Sequence, residues 1–100
     1  MRTMLRIWIP MERGNQAFRD GSITKTVESF MERYKPEAAY FFPDQGRRSA
    51  MFIFDLPDPS HIVVAVEQFF LGLDAEVSLT PVMNADDLQS GFGKAAQFSK

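Results

Sequence analysis

The first residues of the chain alternate between two sets of side chains. One set is Thr3, Leu5, Ile7 and Ile9, and the other is Met4, Arg6 and Trp8. A period of two that is rich in β-branched and aromatic residues is typical of a β-strand, so the pattern predicts a strand over residues 3–9. Pro10 has no N–H to donate to a neighbouring strand and therefore ends this strand or places it at an edge.

A helical period follows. Residues 12–15 are predicted as a loop, and a short helical segment is predicted through Phe18. Apolar residues then recur three and four apart, at Ile23, Val27, Phe30, Met31 and Tyr34. This spacing predicts an amphipathic helix, with Ser22 as its N-cap. The helix is expected to end at Lys35, because the residue before a proline avoids helical backbone angles.

Two aromatic runs, residues 37–43 and 49–56, flank the polar turn-forming stretch 44–48. They predict an antiparallel hairpin with a loop over that stretch. A second helix is predicted after Asp58 or Ser60 as its cap, and it is expected to end near Gly72. Its apolar positions are Ile62, Val63, Val66, Phe69 and Phe70.

The last third of the chain predicts one more strand and one more helix. Residues 75–82 alternate and predict a strand. Asn84, Asp86 and Asp87 predict the cap and first turn of a C-terminal helix, where carboxylates favour the positive end of the dipole. Gly91 and Gly93 weaken that helix, so its last residues are expected to fray.

The order β-α-β-β-α-β with a tail helix predicts an α+β fold, the ferredoxin-like plait, as a single domain over residues 1–100. Both long helices are then expected on one face of a four-stranded antiparallel sheet. The strands carry apolar residues on both faces, so something besides the helices must cover the second face. A second copy of the chain is the simplest cover, which predicts a homodimer through the sheet face in a barrel-like arrangement. The alternative is that the aromatic residues only enlarge a single hydrophobic core.

Five segments resemble a family of small bacterial proteins with no assigned activity. They are Gly14-Asn15, Asp20-Gly21-Ser22 with Lys25-Thr26, residues 36–41, Asp58-Pro59-Ser60, and Pro81-Val82-Met83-Asn84 with Asp86-Asp87-Leu88. The resemblance covers nearly the whole chain and implies membership of the dimeric α/β-barrel group. That group also contains heme-degrading and quinone-forming monooxygenases, muconolactone isomerases and stress-responsive barrel proteins.

Composition narrows the function classes. The 100 residues include 13% aromatic residues, ten of them Phe, no Cys, and a net charge of -2. The lack of Cys excludes a disulfide scaffold, a thiolate metal site and a cysteine nucleophile. The slightly acidic balance argues against a nucleic-acid partner. No secretory signal or membrane-length apolar run is visible, so we predict a cytoplasmic protein without a membrane partner.

The candidate binding face is the side of the sheet turned away from the helices. It is predicted to contain Arg6, Trp8, Tyr40, Phe52, Phe54, Ser78 and Thr80. Aromatic walls with a few polar groups are typical both of small-molecule pockets and of dimer interfaces. We predict an interface first, and second a pocket for a small apolar or aromatic ligand.

Other polar groups give weaker indications. Ser22, Lys25 and Thr26 at a helix N-terminus could hold a small anion, although an ordinary cap with a solvated lysine is the simpler interpretation. Arg47 and Arg48 could grip a carboxylate or phosphate, or be solvated. His61 is the one histidine and either binds at a cavity or lies on the surface. No cluster with metal-ligand spacing and no cofactor is predicted.

Two function classes compete with ligand binding. A cofactor-independent monooxygenase or isomerase would require Arg6, Trp8, Tyr40 or His61 to converge on one cavity. A pure interaction module would use its sheet or its tail helix to dock on a larger partner, and would show no enclosed cavity.

Overall fold

Four strands and four helices are present in the computed structural model, which describes residues 1–99. The strands are β1 (Arg2–Ile9), β2 (Ala38–Asp44), β3 (Arg47–Asp55) and β4 (Glu76–Pro81). The helices are α1 (Met11–Asp20), α2 (Ser22–Tyr34), α3 (His61–Leu73) and α4 (Ala85–Ala96). The sheet has the order β2-β3-β1-β4 with every neighbouring pair antiparallel. This confirms the ferredoxin-like plait.

The core lies between one face of the sheet and helices α1, α2 and α3. Leu5 of β1 pairs with Phe52 of β3 and with Leu79 of β4, so these side chains share that face. Phe30 of α2 is fully buried against it, with ring centroids 4.7 Å from Phe52 and 5.5 Å from Phe69 of α3. Tilted and edge-on contacts at such distances are favourable between aromatic rings. Several of the phenylalanines therefore form one aromatic cluster inside a single core.

Helix α1 is longer than the sequence predicted. It starts at Met11, directly after Pro10, and includes Gly14 and Asn15, which were expected in a loop. The helical propensity of these two residues is low, but tertiary contacts compensate because Gly14 and Ala17 are buried. The helix ends at Asp20, and the C-cap residue Gly21 has a left-handed φ of 82°, which suits glycine.

The hairpin loop is shorter than predicted. Strands β2 and β3 continue to Asp44 and Arg47, which pair with each other, so only Gln45 and Gly46 form the turn. Both have positive φ, 53° and 76°. Two-residue turns with this geometry match the right-handed twist of the flanking strands, and the predicted loop over 44–48 was wrong for that reason.

Helix α4 stands apart from the core. Asn84 accepts from the N–H of Asp87 at 2.8 Å while the Asp87 carboxylate accepts from the N–H of Asn84, which confirms the predicted cap. The helix continues through Gly91 and Gly93 to Ala96, and the fraying expected for its last residues stays a prediction. None of its residues is buried, and the molecule measures 58 × 28 × 19 Å. Helix α4 therefore lacks the tertiary contacts that stabilise the other three helices. A 12-residue helix without such contacts is only marginally stable in water.

Candidate functional site

The open face of the sheet carries five of the seven residues predicted for it. Arg6 pairs with Ser78 of β4 and with Met51 of β3, and Met51 pairs in turn with Tyr40 of β2. Paired residues in an antiparallel sheet point to the same side, so the four form one row. The row before contains Trp8, and the row after contains Thr80.

Phe52 and Phe54 do not belong to this face, and their predicted placement was wrong. Phe52 pairs with Leu5 and Phe54 with Thr3, so both side chains point toward the helices. Their relative exposures are 0% and 1%. A shift of one residue in strand register exchanges the two faces, and the sequence alone did not show which residues of β1 and β3 lie opposite each other.

One end of the open face is a cluster of charged groups around the Trp8 ring. The guanidinium of Arg6 lies 4.8 Å from the ring centroid, and that of Arg47 lies 5.8 Å from it. Trp8 Nε1 donates to Asp44 Oδ2 at 2.8 Å, and the same oxygen is 3.4 Å from Arg6 Nη2. Arg47 Nη1 donates to Glu76 Oε2 at 2.9 Å. Two cations and two carboxylates balance, so the cluster adds no net charge to the face.

The rest of the open face is largely apolar, with the hydroxyl side chains of Ser78 and Thr80 along β4. Met4, Met51 and Ile53 are half-buried by their neighbours in the sheet, and Tyr40 is 61% exposed. Helices α1, α2 and α3 pack on the opposite side. Nothing within residues 1–99 buries this surface, which agrees with the uncovered second face inferred from the sequence.

A separate cavity opens on the helical side, between α1, α2 and the ends of the central strands. Its volume is about 420 Å³, within the ordinary range for small-molecule sites. The lining residues are Ile7, Ile9, Phe18, Ile23, Val27, Phe41, Phe42, Pro43, Arg48, Ser49 and Ala50. Nearly all are apolar, none is acidic, and Arg48 is the one charged residue among them. None of these residues was predicted as a pocket residue from the sequence.

Arg48 is held at this cavity by α1. Its Nη1 donates to Asn15 Oδ1 at 3.0 Å, and its guanidinium lies 5.9 Å from the ring centroid of Phe18. A Cβ at Gly14 would stand 2.9 Å from Nη1, so glycine leaves the space that this guanidinium occupies. Arg47, its neighbour in β3, points to the open face of the sheet. The alternation of residues 48, 50, 52 and 54 was the signal that could have placed Arg48 on the cavity side.

The predicted anion site at α2 already has a carboxylate. Asp20 Oδ1 accepts from the N–H of Ser22 at 2.8 Å and from its hydroxyl at 2.6 Å. These hydrogen bonds lower the pKa of Asp20. Ser22 is the first helical residue and Gly21 is the N-cap, so the predicted Ser22 cap was wrong. Lys25 is exposed, while Thr26 packs toward Gly72 of α3, and the three predicted residues do not converge on an empty anion site.

His61 lies on the helical side at the start of α3. Its Nδ1 is 2.9 Å from the Tyr34 hydroxyl, and burial raises the pKa of that tyrosine. Just before it, Asp58 accepts from the N–H and the hydroxyl of Ser60, which lowers the pKa of Asp58. His61 thus lies across the sheet from Arg6, Trp8 and Tyr40, and none of the four lines the cavity. The convergence that the monooxygenase or isomerase hypothesis required is absent.

A larger hollow of about 670 Å³ lies between the start of β1 and α4. Its charged groups pair with one another. Arg2 Nε donates to Glu37 Oε1 at 2.5 Å, and the amino group of Met1 is 2.6 Å from Asp55 Oδ1. Across residues 1–99, no group of three or more potential ligand side chains could hold a metal ion. In the same range, no helix has the length and apolarity to span a membrane.

Comparison with known proteins gives a fold and no family. No protein-family model matches the sequence, and a search of curated proteins finds no significant match. A formyltetrahydrofolate deformylase from Pseudomonas putida KT2440 superimposes with a TM-score of 0.54 at 15% identity over 82% of this chain. The chain spans only 29% of that protein's length. The de novo designed protein Ferredog-Diesel superimposes with a TM-score of 0.50 at 8% identity, covering 81% of this chain and 85% of the design. The chain is therefore similar to small ferredoxin-like folds.

Proposed function

We propose that the chain is a homodimeric ligand-binding protein of the dimeric α/β-barrel group, and that it holds a small apolar or aromatic molecule between its helices and its sheet. The observation that carries the proposal is the cavity of about 420 Å³ with apolar walls. Apolar walls that stay open to solvent cost free energy unless something covers them. A ligand that fills the cavity would recover that free energy.

Val27 provides the test of ligand binding. It lies on α2 and lines the cavity, so Val27→Phe would fill part of the space. Val63→Phe makes the same change on the exposed surface of α3 and is the matched control. We expect the neutral fluorescent probe N-phenyl-1-naphthylamine to bind the wild type and Val63→Phe alike, and to bind Val27→Phe at least tenfold more weakly. Equal binding by all three proteins would contradict the proposal.

The homodimer is proposed on the open face of the sheet. Four strands about 4.8 Å apart and about six paired residues long present a flat area of roughly 400 Å². A stable interface buries about 800 Å² on each partner. The sheet face therefore needs additional contacts, and the exposed side chains of Leu88 and Phe92 on α4 would supply them. Because the charges around Trp8 balance, two copies can meet there without net repulsion.

An interaction module is the second candidate function, because α4 has no buried residue and one face of the sheet is open. The two candidates differ in what the isolated chain does. A homodimer sediments at twice the 11.4 kDa chain mass at micromolar concentration. A module that waits for a larger partner sediments at the chain mass, and its probe binding does not depend on Val27.

A further inference from the structure

We infer that the cavity selects carboxylic acids, with the apolar body of the ligand between α1, α2 and the sheet and its carboxylate on Arg48. This inference rests on the proposed function, because it assigns a ligand class to the same cavity. It also gives a role to Arg48, for which the sequence left two interpretations open: an anion-binding residue or a solvated surface residue.

The charge of the cavity is the first argument. Arg48 is the one charged residue among those that line the cavity. Within the described part of the chain, no carboxylate lies within salt-bridge distance of it, whereas Arg2, Arg6, Arg13 and Arg47 each contact one. A cation beside apolar walls with no counter-ion attracts an anion more strongly than a solvated cation does, since the local dielectric constant is lower.

The geometry of the guanidinium is the second argument. In residues 1–99 only Nη1 has side-chain acceptors, namely Asn15 Oδ1 at 3.0 Å and the more distant Met11 Sδ at 4.0 Å. Nε and Nη2 therefore remain available, and a guanidinium edge with two parallel N–H groups matches the two oxygens of a carboxylate. The amide oxygen of Asn15 orients the side chain without neutralising its charge.

The third argument is the space kept for the guanidinium. Gly14 is in the middle of α1, where glycine costs about 1 kcal/mol relative to alanine. Its φ is not positive, so the backbone does not require glycine there. An alanine Cβ would stand 2.9 Å from Arg48 Nη1 and 3.2 Å from Ile9 Cγ2. The glycine thus preserves the approach of Arg48 to the helix.

The ligand class follows from charge and apolarity together. One guanidinium balances one negative charge, whereas a phosphate dianion would leave a second charge beside apolar walls, which is costly. The remaining lining is aliphatic and aromatic, so the body of the ligand is apolar. Medium-chain aliphatic acids and aromatic carboxylic acids both have this chemistry.

The test compares acids with their neutral counterparts by isothermal titration. The pairs are octanoate with 1-octanol, and 2-naphthoate with 2-naphthalenemethanol. In the wild type we expect at least one acid to bind tenfold or more tightly than its alcohol. Arg48→Gln should abolish that difference, Gly14→Ala should reduce it by displacing the guanidinium, and the matched charge change Arg33→Gln on the exposed surface of α2 should preserve it.

The outcomes separate the two proposals. If the alcohols bind as tightly as the acids, or if Arg48→Gln retains the preference, the acid inference is wrong while the binding cavity stands. If neither acids nor alcohols bind to the wild type, the proposed function fails as well. Circular dichroism of each variant confirms that it is folded before titration. Gly14→Ala places a better helix former in α1 and clashes mainly with the end of a flexible side chain, so it provides a second, independent perturbation of Arg48.

Discussion

Ile53→Asp tests the proposal that a second copy of the chain covers the open face of the sheet. Ile53 lies in the centre of the open face, where it pairs with Met4 of β1 and Ala38 of β2. In the isolated chain it is half-buried, so an aspartate there still reaches water and the chain keeps its fold. In a face-to-face dimer the same carboxylate would be enclosed. The neighbouring Phe52 and Phe54 are unsuitable, since a charge in the core would unfold the monomer.

The size of the effect follows from burial and symmetry. An unpaired polar group that is buried costs about 1–3 kcal/mol in proteins, and a charged group costs more. A twofold interface contains each substitution twice, so Ile53→Asp should weaken the dimer by about 4 kcal/mol or more. That corresponds to roughly a thousandfold rise in Kd. A dimer of nanomolar Kd would then dissociate at low micromolar concentration.

Sedimentation equilibrium between about 0.05 and 50 µM measures this change. We expect the wild type to stay close to twice the 11.4 kDa chain mass throughout, and Ile53→Asp to fall to the chain mass toward the lowest concentration. Ile62→Asp makes the same substitution on the exposed side of α3, across the sheet, and should remain dimeric. The reasoning is refuted if the wild type is monomeric, or if Ile53→Asp dimerises as tightly as Ile62→Asp.

Two further predictions concern the fold itself. Phe30→Ala removes a fully buried ring with four aromatic neighbours and should cost about 3–5 kcal/mol of unfolding free energy. Thermal unfolding should then shift by at least about 12 °C, while Phe98→Ala, at a side chain that is 88% exposed, should shift it by little. Equal shifts would contradict the core assignment. Ser60→Ala should raise the pKa of Asp58 toward the ordinary aspartate value in an NMR titration. Because the pKa of Asp58 is lowered in the folded chain, its carboxylate stabilises the fold at pH values above the unfolded pKa. That contribution is lost as the pH falls through the folded pKa. An unchanged pKa of Asp58 in Ser60→Ala would show that Ser60 does not cause the lowering.

The sequence predicted local structure best where one element could be recognised without its neighbours. The helix around Phe30 follows from its apolar spacing, and the cap of α4 follows from Asn84 and Asp87, because both depend on contacts within a few residues. Helix α1 was shortened in the prediction because Gly14 and Asn15 are poor helix formers. Their helical state depends on contacts with other elements, because Gly14 lies against Ile9 and Arg48 and Asn15 accepts a hydrogen bond from Arg48.

The alternation within each strand and the helical spacing between strands are local properties. Together they were sufficient to predict the β-α-β-β-α-β order, the antiparallel sheet and the excess of apolar residues on it. The side of the sheet to which each strand turns its apolar residues depends on register, which is a relation between strands. Only the tertiary structure therefore placed Phe52 and Phe54 in the core, on the side of the sheet opposite Trp8. It also separated Arg47 from Arg48 and brought Arg48 to Gly14 at the cavity, since these contacts join residues more than thirty positions apart.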